Sequence, residues 1–428
     1  MIRVGNIDLL KGIRKLSHNS NIKAGALYTI FSFIYNGLNF VLMLILAKFL
    51  TPSDYGSLNL FNTLIQIIGI IICLCTTSYV NVAFFQKDRE TLRKIIWICF
   101  IVTSIILGAL SMVLLFAYDF MVKIVGIGIQ YQWLALFICY FQVFTSMNLD
   151  IFRLEERPKI YGIYTITQGI LNFILTFLFI VGMKYGWEGR VYAMFLTGCA
   201  FFVLSIYLMY KATYLRPSVF TKSLVVETLI FSLPIIPHLA SFWLKQGMDR
   251  YIIKFFYGTS EVGIYSFAMN LAAIIAIIGN AFNSSNSVYI FKKLSDGYEK
   301  VKATLRKQAV LMSAVFLVIS ALVILFSWGL IYFFLPKYTE SMKYIIPLGV
   351  GAFFQCIYLL YVNYIFYHKK TVTLMSITLT TGLIQLGLSL WLTRYSVLYT
   401  AYISMGISIL TAFIVMMFAK KYNRESLA

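Results

Sequence analysis

The amino-acid sequence predicts an all-α integral membrane protein of about twelve transmembrane helices in two six-helix bundles, with both ends in the cytoplasm. Three observations carry this prediction. Only 12% of the 428 residues are charged and 60% are hydrophobic, with a mean hydropathy of +0.83, whereas a soluble chain is about one-quarter charged. The apolar residues gather in stretches long enough to cross a bilayer, which takes roughly 20 helical residues. Finally, 26 of the 36 Lys and Arg residues crowd into every second gap between those stretches. Lys/Arg bias sets membrane orientation, so both ends fall on the cytoplasmic side and the span number is even. The net charge of +20 then reports topology and anionic headgroups, and excludes a nucleic-acid partner.

Residues 1–21 form a basic cytoplasmic segment. Ile7, Leu10, Ile13 and Leu16 mix there with Lys11, Arg14 and Lys15, a pattern that suits a short helix on the inner leaflet and equally a solvated tail. No short apolar core with a small-residue cleavage site marks a cleavable signal. The first bundle, 22–210, holds spans near 22–49, 57–85, 95–118, 131–152, 160–183 and 191–210. A cytoplasmic linker, 211–226, carries Lys211, Arg216 and Lys222. The second bundle, 227–419, holds spans near 227–256, 261–290, 308–335, 342–367, 371–393 and 396–419, and 420–428 is a basic tail. The apolar runs are far longer than barrel strands need. The gaps are too short for a folded domain and no GxxxxGK[ST] phosphate loop occurs, so function must lie within the membrane. All six cysteines fall within apolar spans, where Cys behaves as a small hydrophobe, and no disulfide is expected.

The two halves echo one another. KFLTPSDYGSL from Lys48 matches KFFYGTSEVGIY from Lys254 at an offset of 206 residues, becoming 207 after one insertion. YGWEGRVYA from Tyr185 faintly matches YSVLYTAY from Tyr395. A repeat of six spans preserves orientation, and parallel repeats of this kind occur in transporters.

Charged groups at membrane depth are costly and tend to face a cavity. Because Lys254 aligns with Lys48, span 7 should run to about residue 255, which places Lys245, Asp249 and Arg250 inside it. At 100° per residue, His238, Lys245 and Asp249 fall on one stripe, and Arg250 projects about 100° from Asp249. The matching span-1 positions include Asn36 and Asn39. Span 8 adds Asn280 and Asn283 on one face. One reading is a hydrated cavity where Lys245, with Arg250 and His238, meets an anionic substrate. The other is that Lys245 snorkels to headgroups and pairs with Asp249 one turn away. Pro234 and Pro237 remove backbone donors and should bend span 7 as a hinge or a static kink. Asp150 and Arg153 close span 4 as an interfacial salt-bridge cluster or an inner gate. Asp249 is the best candidate for coupling to a proton or sodium gradient; no other cofactor and no metal site is expected. His18, His238 and His368 lie far apart and no catalytic carboxylate pair is evident, so no enzyme is indicated.

LAKFLTPSDYGSLNLF (46–61) and FSLPIIPHLASFWLKQGMDRYIIKFFYGTSEVGIYSFAMNL (231–271) resemble the Wzx-like O-antigen and polysaccharide flippase branch of the multidrug/oligosaccharidyl-lipid/polysaccharide exporter superfamily. The matching residues are Leu50, Thr51, Asp54, Tyr55 and Gly56, then Pro234, Pro237, His238, Ser241, Trp243, Asp249, Arg250, Ile253, Gly263, Ile264 and Tyr265. The resemblance implies two six-helix bundles around a cavity that opens alternately to each side. It implies an undecaprenyl-diphosphate-linked oligosaccharide as substrate, flipped across the bacterial cytoplasmic membrane for O-antigen, capsule or exopolysaccharide synthesis. Membrane lipids, a polysaccharide polymerase and chain-length proteins are the implied partners. The substrate-contacting cations of that family vary in position, so it assigns no role to Lys245 or Arg250. Export of drugs or of another lipid-linked glycan is the alternative, and a membrane polysaccharide polymerase or ligase the second.

Overall fold

A computed structural model describes residues 20–425 apart from Asp296. The basic segment 1–19 and the last three residues of the tail lie outside the described residues. Sixteen α-helices, and no strands, make up the described chain. Eleven of its helical segments are long and apolar enough to cross a membrane, and a shorter apolar stretch, Phe33–Phe49, accompanies them. The chain is therefore a multi-pass membrane protein of the predicted all-α class.

The first expected span falls on α1 (Ser20–Phe49), whose apolar part, Phe33–Phe49, is shorter than the eleven, and the second is broken into α2 (Pro52–Cys73) and α3 (Thr76–Gln86). The break falls on Leu74 and Cys75, at φ of 45° and 58°, a left-handed conformation that non-glycine residues rarely adopt. Thr76 hydroxyl donates to the freed carbonyl of Cys73 at 2.7 Å. Next come α4 (Arg89–Phe116), a short α5 (Tyr118–Val125), α6 (Ile129–Leu154), α7 (Pro158–Phe177, running into a π turn) and α8 (Gly186–Lys211). Asp88 caps α4, its carboxylate accepting from the amides of Glu90 and Thr91, as an N-cap acid does for otherwise orphaned donors.

The seventh span comprises three pieces, α9 (Lys222–Ser232), α10 (Ile235–Gln246) and α11 (Met248–Tyr257). Its first interruption is at Leu233 and Pro234. The second is at Gly247, which the sequence does not announce. α12 (Thr259–Ser295), α13 (Tyr298–Phe334), α14 (Met342–Tyr367), α15 (Thr371–Leu392) and α16 (Val397–Glu425) complete the chain.

The described chain divides into two compact units. Residues up to Phe49 join Ile68–Pro234 in one, and Leu50–Ile67 join the chain from Ile235 onward in the other. In the first unit α6 packs on α8 and α1 on α7. Tyr164 of α7 shares a buried hydrogen bond with Ser205 of α8. In the second unit α14 is the central helix, packed by α12, α13 and α16; it is apolar around its circumference, as a buried helix should be. The larger part of α2, up to Ile67, belongs to this unit because it packs on α12 and the 3-10 turn after α13: Tyr55 meets the rings of Phe267 and Tyr338, and Asn270 donates to Tyr55 at 2.9 Å.

Candidate functional site

Inside the second unit, α10, α12, α14, α15 and α16 enclose a cavity of about 160 Å³. Lys245, on the last turn of α10, is its one charged lining residue. The Lys245 ammonium donates to Thr411 of α16 at 3.3 Å. The lysine stem passes Gly382 of α15, its carbons 3.7 Å from where a Cβ would sit, an ordinary packing distance. Gln246, Gln355 and Gln385 add polar groups to walls of alanine, leucine and isoleucine.

The break at Gly247 accounts for the groups just beyond the cavity. Ending α10 frees the carbonyls of Lys245 and Gln246, which must find donors in an apolar setting. Gln385 of α15 donates to the Lys245 carbonyl at 2.8 Å and to the Asp249 carboxylate at 2.9 Å. Ser389, one turn on, donates to the other Asp249 oxygen at 3.0 Å. Arg250 donates to the Gln246 carbonyl at 2.6 Å and to Ser266 at 3.1 Å. Asp249 and Arg250 are only 1% and 8% exposed, and the ion pairs found among the described residues include neither of them nor Lys245. Burying a charge is costly unless it is hydrogen-bonded, and Gln385 and Ser389 supply those bonds to Asp249.

The sequence-selected residues divide accordingly. Lys245, Asp249 and Arg250 come together around one helix break, but the lysine turns to Thr411 and not to Asp249. His238 is half-buried against Phe242, ring centroids 5.2 Å apart, and does not line the cavity. The stripe expected to link His238 to Asp249 is interrupted because α11 starts a new helix after Gly247. Asn280 is exposed and donates to the carbonyl of Ala276; Asn283 accepts from Asn363 at 2.7 Å. Asn36 and Asn39 lie exposed on α1. Asp150 pairs with Arg153, and Arg157 pairs with Glu155, itself held by Tyr214.

Sequence reasoning missed the partners on the last two helices: Gln385, Ser389 and Thr411. They are uncharged and share their helices with other Ser and Thr residues, such as Thr378, Thr381 and Ser408, so the sequence did not single them out. It also missed a cleft of about 410 Å³ in the first unit, beside the α2–α3 break. Tyr35, Thr77, Gln142, Thr145, Ser146 and Gln168 give that cleft hydroxyls and amides without a charge. Arg190, at the start of α8, donates to Asn172 and Thr176 of α7.

Comparison with known proteins places this geometry in a family. The chain is 26% identical over 401 residues to an uncharacterized membrane protein of Haemophilus influenzae, covering 90% of this chain and 93% of that one. It is 23% identical to Lsg locus putative protein 1 of the same organism, covering 85% and 89%. Its fold is similar to that of a multidrug-resistance MATE-family transporter of the MOP superfamily in an inward-facing conformation, with a TM-score of 0.74, 15% identity and coverage of 91% and 94%. A MOP-superfamily transporter from Pyrococcus furiosus, described as having a binding pocket of reverse polarity, follows at a TM-score of 0.65, with 15% identity and coverage of 94% and 96%. The sequence profile described as polysaccharide biosynthesis protein matches residues 22–295. A MOP-transporter fold with that profile over most of its length means that the chain belongs to the polysaccharide biosynthesis protein family.

Proposed function

We propose that the chain is a flippase that moves an undecaprenyl-diphosphate-linked oligosaccharide from the inner to the outer leaflet of the bacterial cytoplasmic membrane by alternating access. The observation that carries this reading is Lys245, a cation held by Thr411 in an otherwise uncharged cavity of a polysaccharide-biosynthesis chain. A diphosphate leaving water needs a cation to meet it. The uncharged cleft of the first unit offers the hydroxyls and amides that sugars hydrogen-bond. Asp249 is the coupling acid for protons or sodium in this reading, and a polymerase with its chain-length proteins receives the product. The fold is that of transporters, so the chain is read as a carrier and not as a catalyst.

Deletion of the gene followed by glycan analysis tests this. Loss of surface glycan with lipid-linked units accumulating on the cytoplasmic face is expected. Unchanged surface glycan with increased dye sensitivity would instead establish drug export, a second reading favoured by the multidrug-transporter fold neighbours.

A further inference from the structure

α13 and α16 both pack along α14, and at the basic end of the second unit they leave a groove of about 380 Å³ over it. Residues four apart share one helix face, so Tyr298, Lys302, Arg306 and Val310 line one wall. Ala419, Lys420 and Asn423 of α16 line the other. The floor is Tyr361 and Tyr364, with ring centroids 6.2 Å apart. Three cations from two helices thus converge, and no acid lines the groove. Glu299, just outside, engages Lys302 at 3.2 Å; no ion pair holds Arg306 or Lys420 among the described residues. Asn423, nearly fully buried, is fixed by the His368 ring at 2.8 Å.

Further along the same two helices the surface is apolar: Val310, Leu317 and Val318 on α13, and Phe413 and Met417 on α16, are all more than half exposed. A cationic pocket flanked by exposed apolar helix surface matches an amphiphile with a phosphate head and acyl tails. Basic pockets between transmembrane helices hold anionic headgroups in this way, and a guanidinium fork suits phosphate oxygens. We infer that this groove binds the headgroup phosphate of an anionic membrane phospholipid. The site is separate from the Lys245 cavity and does not depend on the identity of the transported glycan.

The test uses the full chain in phosphatidylcholine nanodiscs doped with phosphatidylglycerol, counting phosphatidylglycerol retained after delipidating washes. A Lys302→Ala/Arg306→Ala/Lys420→Ala variant should lose retained lipid by roughly tenfold or more. Lys293→Ala/Lys300→Ala/Lys307→Ala, with equal charge removed away from the groove lining, should keep it. Equal loss from both variants, or from neither, overturns the site. Competition on the unmodified chain separates sources of the same chemistry. Inorganic phosphate should fail to displace the lipid at matched concentration; displacement by it, or retention of undecaprenyl diphosphate in place of phosphatidylglycerol, overturns the phospholipid assignment.

Discussion

Gly56 of α2 and Gly263 of α12 lie against one another, each backbone filling the space where the other's side chain would begin. A Cβ on Gly56 would fall on the carbonyl oxygen of Thr259, and one on Gly263 on the carbonyl oxygen of Pro52. Both Gly56–Gly263 and Pro52–Thr259 are 207 residues apart in sequence, so the contact is reciprocal across the internal repeat. Ser53 and Thr259 add a shared hydroxyl hydrogen bond of 2.7 Å at its edge.

Because the obstacle is backbone on both sides, no side chain can swing away. Gly56→Ala and Gly263→Ala should each cost about 1–3 kcal/mol by overpacking and lower the melting temperature of the detergent-solubilised protein by similar amounts. Gly108→Ala, with open space around its Cβ position, should leave it unchanged. Unequal effects of the first two would contradict the reciprocity.

Lys245→Ala should abolish glycan export while the protein stays folded in the membrane, because the cavity loses its only charge. Thr411→Val removes the ammonium's side-chain anchor but leaves the charge, so export should fall only several-fold, in line with one hydrogen bond of about 1 kcal/mol. Export by Lys245→Ala at the unmodified rate, measured as surface glycan per cell, would refute a substrate role.

Gln385 serves two acceptors and Ser389 one, which ranks their substitutions. Gln385→Leu strands both the Lys245 carbonyl and one Asp249 oxygen, at about 1–3 kcal/mol for each buried group left unpaired. Ser389→Ala strands one. The melting temperature should therefore fall further for Gln385→Leu. Asp249→Asn keeps the shape and should remain folded; if Asp249 couples transport to an ion gradient, vesicle transport by this variant becomes insensitive to an imposed proton or sodium gradient.

The spans were legible in the sequence because their apolar length is a direct demand of the bilayer. Their ends were less so. α13 begins at Tyr298, ten residues before the expected 308, because Lys300, Lys302, Arg306 and Lys307 read as loop by hydropathy yet continue as helix. α2 starts at Pro52, where the Thr51 hydroxyl and Asp54 cap one another, five residues before the expected span at 57. The breaks at Leu74–Cys75 and Gly247 carry no proline, and hydropathy does not register a change of φ. At the candidate site, Lys245, Asp249 and Arg250 stood out because charge in an apolar span is conspicuous. Gln385 did not, since its importance comes from two acceptors about 140 residues away that only the fold brings near.

Arg190 supplies the last expectation. Its guanidinium joins the start of α8 to Asn172 and Thr176, on the turn of α7 just before the π turn at Leu178–Gly182. Thr176 is only 1% exposed and already donates to the Asn172 carbonyl at 2.6 Å, so its oxygen is positioned for the arginine. Arg190→Met removes hydrogen bonds from a charged donor, worth about 1.5–3 kcal/mol. Asn172→Leu combined with Thr176→Val should be worse, because it leaves the cation partly buried without acceptors, and an uncompensated buried charge costs more than a lost pair. Arg190→Lys should fall between unmodified and Arg190→Met, since a point charge cannot span two acceptors as a planar fork does. Thermal melting of the four proteins orders them. A double variant more stable than Arg190→Met would mean that water, and not Asn172 and Thr176, solvates this guanidinium.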